Sequence, residues 1–284
     1  MFKGRNVWGF LLPGLVLLLA FYVIPFFGGI RYSFLDGSYR DLFVGFENYR
    51  TLWQNPVFLL GLKNTLVLSL ICAPLLWVLS LMTASAVYGA RPFGRVFRSA
   101  VLIPYLAPAS AMIMVWQVFF DYGGPLNRLL SLFGAERVLW LSGPAMRIPI
   151  VIMFLWKNIG LCTVIFLSAV QGVPESLYEA GELDGIGRIR KLFSITLPLI
   201  MPSAYLIFIV SWINAFKIFR EVYFIAGAYP DQAVYTLQHY INNVYGKMNY
   251  QMVTSSAYSF ALISVLLFGI LFLMQRRASD EIYG

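Results

Sequence analysis

Apolar runs long enough to cross a bilayer alternate with polar connections along the chain. Six of them fall near residues 8–30, 65–88, 99–120, 148–170, 199–220 and 252–274. Each approaches the ~20 apolar residues needed to traverse a hydrocarbon core ~30 Å thick. The pattern predicts an all-α, polytopic membrane protein with six transmembrane helices, organised as one membrane domain over residues 1–284. Pro13, Pro25, Pro74, Pro104, Pro108 and Pro202 interrupt or kink these runs. Membrane helices tolerate that where neighbours satisfy the freed backbone groups.

The connections differ in character. Residues 31–63 mix aromatics with charges and predict an amphipathic stretch packed at the membrane surface. Residues 121–147 and 221–251 carry Gly, Pro, Asn and Asp at turn spacing. No internal repeat is visible. Residues 174–198 form a charge-dense interruption between the fourth and fifth runs. Pro174 fits a first helical turn, and Glu175, Glu179 and Glu182 share one face toward the positive end of that helix. Gly185 and Gly187 permit a sharp turn. A second short helix is expected from Arg188 to Ser194, and Leu197-Pro198 opens the fifth run. Composition leaves two readings of this segment open, an ordinary interfacial loop or a docking element for a soluble partner.

Composition supports the membrane assignment. The chain is 60% hydrophobic and 12% charged, against roughly 25% charged in soluble domains. Lys3, Arg5, Arg91, Arg95, Arg98, Arg188, Arg190, Lys191, Arg276 and Arg277 crowd alternate connections, which predicts that both termini are cytoplasmic. The net charge of +8 then suits an anionic inner leaflet and no nucleic acid. The apolar segment Val7–Ile30 is too long for a cleaved signal sequence and reads as a retained span. Cys72 and Cys162 lie inside apolar runs and read as small buried hydrophobes. His239 reads as a solvated loop residue, with no metal-binding cluster around it.

The 179–198 string resembles the signature loop of binding-protein-dependent ABC importer permeases. That pattern is E-A-A, two residues, D-G-A, eight residues, then I-x-L-P. Here it reads Glu179-Ala180-Gly181, then Asp184-Gly185-Ile186, then Ile195-Thr196-Leu197-Pro198. Gly181 and Ile186 each stand where the pattern has alanine. LLPGLVLLLAFYVIPFFGGIRYSF, FVGFENYRTLW, LKNTLVLS, FLWKNIG and QGVPESLYEA are similar to the carbohydrate-importing branch, the maltose/glycerol-phosphate type of first permease subunit. Gly227-Ala228-Tyr229-Pro230 departs from the Gly-Gly-Pro turn usual there.

The resemblance implies a type I ABC importer transmembrane domain in a bacterial plasma (inner) membrane. The expected function is that of a permease subunit forming half of the pore of an ATP-driven sugar importer. Its expected partners are a second homologous permease subunit, two cytoplasmic ATP-binding cassette subunits, an extracytoplasmic solute-binding protein, a saccharide and membrane lipid. The resemblance assigns ATPase coupling to Glu179, Ala180, Gly181, Asp184 and Gly185. Glu179 is expected to pair with a basic group on the ATPase, and Asp184 to cap the second short helix. The chain has no G-x-x-x-x-G-K-[ST] sequence, so ATP is expected on the partner subunits. No cofactor, metal or catalytic residue is expected here.

Polar groups inside spans are costly and often functional. Trp156, Lys157 and Asn158 in the fourth run, and Ser211, Asn214 and Lys217 on one stripe of the fifth, are the substrate-pathway candidates. Asn158, Ser211 and Asn214 match positions that line a sugar cavity in relatives. Snorkelling is the alternative for the two lysines, and helix–helix hydrogen bonding is the alternative for Ser211 and Asn214. Trp116, Gln117, Tyr258 and Ser259 are further candidates. The two lysines suggest an acidic sugar or a glycoside phosphate. The rival readings are an ABC permease for a non-sugar solute, a secondary transporter and a membrane enzyme. The secondary transporter is disfavoured because the 13 acidic residues are read in connections or near span ends. A membrane enzyme would need a membrane-depth catalytic or metal cluster, and none is found.

Overall fold

The computed structural model describes residues 5–37, 42–89 and 94–283. The basic residues Lys3 and Arg91 lie outside the described residues, as do the side chains of Arg5, Arg95, Arg98, Arg188 and Arg277. In chain order the helices are α1 (Arg5–Leu18), α2 (Ile24–Tyr32), α3 (Glu47–Gln54), α4 (Pro56–Gly89), α5 (Gly94–Leu106), α6 (Ala109–Phe120), α7 (Pro125–Leu132) and α8 (Arg147–Gln171). There follow α9 (Glu175–Leu183), α10 (Arg188–Lys191), α11 (Leu197–Leu199), α12 (Met201–Phe216), α13 (Phe219–Ala226), α14 (Leu237–Gly246) and α15 (Tyr250–Tyr283). Among the described residues there is no strand, only an isolated bridge between Leu35 and Phe43.

Among the described residues, five continuous segments are long and apolar enough to cross a membrane: Leu11–Tyr32, Pro56–Tyr88, Gly143–Gln171, Met201–Ala226 and Tyr250–Ile270. The run read near 99–120 is different. It is a pair of helices, Ser99–Leu106 and Ala109–Leu132, bent by 99°. Pro108 is the N-cap of α6 at ψ 129°, and a proline and its missing N–H end the preceding helix there. Two other prolines are absorbed without a break. Leu19–Val23 and Leu192–Thr196 are π-helical turns, and the residues after them, Ile24 and Leu197, each donate to the carbonyl five residues back. Pro25 and Pro198 follow immediately. Widening the turn relieves the clash between a proline ring and the carbonyl four residues earlier.

The chain divides into two compact units, Met1–Leu59 with Tyr240–Leu267, and Leu60–His239 with Phe268–Gly284. In the first, Asn48 Nδ2 donates to the carbonyls of Ser33 (2.9 Å) and Leu35 (2.7 Å), and Tyr49 donates to Ser33 Oγ at 2.7 Å. Phe34, Phe46 and Tyr49 pack around these bonds, so residues 33–35 and 46–49 fold together, while the end of the 31–63 stretch, from Pro56, belongs to the long apolar helix α4 and not to a connection. Tyr258 donates to the carbonyl of Phe26, and Ser259 is buried.

The second unit holds the larger core. Leu76, Ile150, Phe154, Phe166 and Ile207 are fully buried there. Trp77 Nε1 donates to the Ala204 carbonyl at 2.8 Å and meets Phe166 edge-on. α8 packs against both α5 and α12, and α13 packs against α6 and α8. Gly160 sets the α5–α8 approach, because a Cβ there would overlap the Val101 carbonyl. Residues 231–239 are held down by Asn64, which donates to the carbonyls of Gln232 and Tyr235 at 2.7 and 2.9 Å, and by Arg147 Nε, 2.9 Å from the Ala233 carbonyl. His239 is not a solvated loop residue: it is 1% exposed, packed on Phe219 and Tyr235.

Candidate functional site

The 174–198 segment folds as a closed unit. α9 ends in a Schellman turn: Gly185 N–H bonds to the Glu182 carbonyl at 3.0 Å and Ile186 N–H to the Gly181 carbonyl at 2.8 Å. Gly185 has φ +70°, the left-handed conformation that glycine adopts without a Cβ penalty. Asp184 is the C-cap of α9, at φ −77° and ψ 1°. It closes the first short helix and does not cap the second, which corrects the sequence expectation. The second short helix is also shorter than expected. It is α-helical only from Arg188 to Lys191, and the chain then widens into the Leu192–Thr196 π turn that leads to Pro198.

Side-chain bonds close the unit. Lys191 Nζ donates to Glu182 Oε1 at 2.7 Å, and the hydroxyls of Tyr178 and Thr196 are 2.9 Å apart. Burial raises the Tyr178 phenol above its ordinary pKa, so it stays a neutral hydroxyl. Gly181 faces inward. A Cβ there would come within 3.0 Å of Ile195 Cδ1 and 3.9 Å of Ile186 Cδ1. The two departures from the signature pattern are therefore neighbours: the Ile186 N–H bonds to the Gly181 carbonyl, and the Ile186 side chain lies at ordinary contact distance from where a methyl on Gly181 would stand. Glu179 and Ala180 are exposed. So are Leu183, Ile189 and Phe193, at 90%, 76% and 61%.

The polar residues of the fourth and fifth spans divide by depth. Asn158 is buried and donates to the Phe154 carbonyl at 2.8 Å. Ser211 is fully buried, donates to the Ile207 carbonyl at 2.7 Å and lies 3.7 Å from Cys162 Sγ. Trp156, Lys157 and Asn214 are half-buried, and Lys217 is exposed at the C-cap of α12. Gln117 Nε2 reaches the Phe224 carbonyl at 3.3 Å. Among the described residues no three His, Cys, Asp or Glu side chains come together to hold a metal.

Glu221 is the residue that sequence reading missed. It lies on α13, within the apolar segment that runs to Ala226, and is 6% exposed. Lys157 Nζ stands 3.6 Å from its Oε1. The acidic residues are thus not all outside the spans, and Lys157 is paired, not snorkelling. Its charge is already balanced, which removes half of the argument for an acidic sugar. The available signal was the adjacency of Glu221 to an apolar run with a single unmatched lysine in the neighbouring one.

Residues 56–281 match the family model described as binding-protein-dependent transport system inner membrane component. The chain is 32% identical over 241 residues to the sulfoquinovosyl glycerol transport system permease protein of Agrobacterium fabrum, covering 82% of this chain and 77% of that protein. It is 30% identical to the trehalose/maltose transport system permease protein of Thermococcus litoralis, covering 93% and 90%. Its fold is similar to a chain in the crystal structure of a bacterial alginate ABC transporter in complex with an alginate pentasaccharide-bound periplasmic protein. That match has TM-score 0.84, 21% identity and coverage of 97% and 95%. A family model that covers most of the chain, together with relatives that are transport permeases and not enzymes, identifies the molecule. It is a multi-pass membrane permease belonging to the family of binding-protein-dependent transport system inner membrane components.

Proposed function

We propose that the chain is one of two pore-forming permease subunits of an ATP-driven saccharide importer in a bacterial inner membrane, with both termini in the cytoplasm. The observation that carries the reading is the build of residues 174–198. The segment is internally closed yet exposes Leu183, Ile189 and Phe193 beside Glu179. A rigid element that presents large apolar side chains needs a complementary groove. In this reading a cytoplasmic ATP-binding cassette subunit supplies it. Glu179 meets a basic group on the ATPase, Gly185 fixes the angle between α9 and α10, and nucleotide-driven closure moves the segment as a body. ATP stays on those partners. A second permease subunit completes the pore, and an extracytoplasmic solute-binding protein delivers the cargo.

The relatives' saccharide substrates support a saccharide cargo. Trp156, Lys157 and Asn214 would line the path, with Asn158 and Ser211 behind them between α8 and α12. The test is reconstitution of the purified assembly in lipid vesicles with its binding protein. ATP-dependent uptake of trehalose or maltose, lost with Glu179→Lys while the chain remains in the membrane, is the expected result. Undiminished uptake and ATPase association by Glu179→Lys would sink the coupling role. Uptake of a polyamine or phosphate in place of every saccharide would sink the cargo assignment.

A further inference from the structure

α9 and α12 are joined by a backbone that changes form at nearly every turn. α10 has four residues, the Leu192–Thr196 π turn follows, α11 has three, and Ile200 at φ −95° and ψ 5° separates it from α12. Pro198 contributes no N–H to this stretch. A continuous α-helix carries a push along its regular i→i−4 ladder, and a ladder interrupted in this way yields instead. For residues 174–198 to move the spans, something other than this backbone must hold them together.

Side chains supply that hold, and Tyr178 is central to it. One residue before the exposed Glu179, Tyr178 turns inward and packs on the buried core. Its ring centroid is 6.0 Å from that of Tyr88, near the end of α4. Its hydroxyl is 2.9 Å from Thr196 Oγ1, and Thr196 is buried. Thr196 Oγ1 donates in turn to the Lys191 carbonyl at 3.4 Å. A hydroxyl has one proton to give. With Thr196 donating to Lys191, Tyr178 is the donor to Thr196, and the relay runs from α9 across the π turn to the end of α10.

We propose that Tyr178 and Thr196 are positioning residues that couple the docking segment to α12. The Tyr178 O–H bond to Thr196 holds the π turn against α9, so that displacement of the segment reaches α12 instead of being absorbed between Lys191 and Ile200. This rests on the importer reading above, and it names residues turned into the chain's own core and not toward the ATPase.

The assembled transporter, in lipid vesicles with its binding protein and either trehalose or maltose, gives uptake and ATP hydrolysis side by side. Tyr178→Phe keeps the ring on Tyr88 and removes the hydroxyl. Thr196→Val keeps the side-chain shape and removes the acceptor. In each, sugar carried per ATP is expected to fall about fivefold, the worth of one hydrogen bond, while hydrolysis changes by less than about twofold. Thr196→Ser restores the hydroxyl and with it most of the ratio. The double variant Tyr178→Phe, Thr196→Val should be no worse than either single one, because both remove the same bond. An unchanged ratio in both single variants overturns the proposal. So do losses that add in the double variant, or a Thr196→Ser variant no better than Thr196→Val, since either marks a packing defect and not a lost bond. Equal falls in uptake and hydrolysis also overturn it, by showing damage to assembly and not to transmission. An unaltered transporter that carries neither sugar when supplied with ATP is a different result: it overturns the importer reading, and this proposal with it.

Discussion

Lys191 Nζ and Glu182 Oε1 lie 2.7 Å apart across a turn whose left-handed residue is Gly185, at φ +70°. The two devices are not equal in strength. Glu182 is largely exposed, and ion pairs of that kind contribute ~0–1 kcal/mol. A β-branched residue forced to positive φ costs ~1–2 kcal/mol, and it also displaces the two bonds of the Schellman turn. Lys191→Met is therefore expected to change ATP-driven uptake by less than about twofold. Gly185→Val should uncouple uptake from ATP hydrolysis and speed backbone hydrogen exchange across residues 181–186. Uptake rates and exchange measured on the same preparations check both.

Gly181 and Ile186 should behave as a unit. Ile186→Ala removes an apolar contact and is expected to lower the local opening free energy by about 1 kcal/mol. Gly181→Ala gains about 1 kcal/mol of helix propensity, but its new methyl presses on Ile195 Cδ1 at 3.0 Å. Alone it should be close to neutral. Together the two substitutions restore both alanines of the signature pattern. The pair is expected to be less stable than the sum of the singles by about 0.5 kcal/mol, because Ile186→Ala removes the ordinary contact at 3.9 Å that the new methyl would make. Hydrogen exchange of the 175–196 amides in the four chains of the cycle measures this, and strict additivity would contradict it.

The spans and the 174–198 segment were legible because each depends on local pattern: apolar length in one case and fixed spacing of Glu, Gly and Pro in the other. What was not legible depends on packing. Pro13, Pro74 and Pro104 lie inside continuous helices while Pro108 starts a new one after a 99° bend. Proline alone does not say which outcome a neighbourhood permits. An aspartate before a glycine suits either the end of one helix or the start of the next, and Asp184 turns out to close α9. Glu221 follows Arg220 beyond an apparent span end and reads as a surface charge until Lys157, on another helix, is brought to it.

That pairing makes a prediction about removal. Glu221→Leu leaves Lys157 without its counter-charge in a mostly buried position, a change expected to cost about 2–4 kcal/mol once partial exposure of the lysine is allowed for. Lys157→Met combined with Glu221→Leu replaces the pair by apolar groups of similar size and should recover most of that loss. Thermal midpoints of the detergent-solubilised assembly should therefore order as unaltered, then the double variant, then Glu221→Leu. A double variant no better than the single one would show that the pair is not a unit.

His239 gives the assembly an acid limit. It sits at the third position of α14, and its Nδ1 lies 3.2 Å from the Thr236 N–H and 2.7 Å from Thr236 Oγ1. Accepting the amide hydrogen leaves Nδ1 unprotonated, so the neutral ring carries its proton on Nε2. Burial then lowers its pKa to about 4, whereas the unfolded chain titrates near ~6.5. Between those values the unfolded chain holds more protons than the folded one. The contribution is therefore neutral above the unfolded value, grows destabilising as pH falls toward 4, and levels off below it. Full development of a gap that wide corresponds to about 3 kcal/mol. His239→Gln keeps an oxygen for the Thr236 amide and removes the titration. The difference between unaltered and variant thermal midpoints should be constant from pH 8 to 7 and should move in favour of the variant as pH drops from about 6.5 to 4.5. Parallel curves over that window would rule out a buried neutral imidazole.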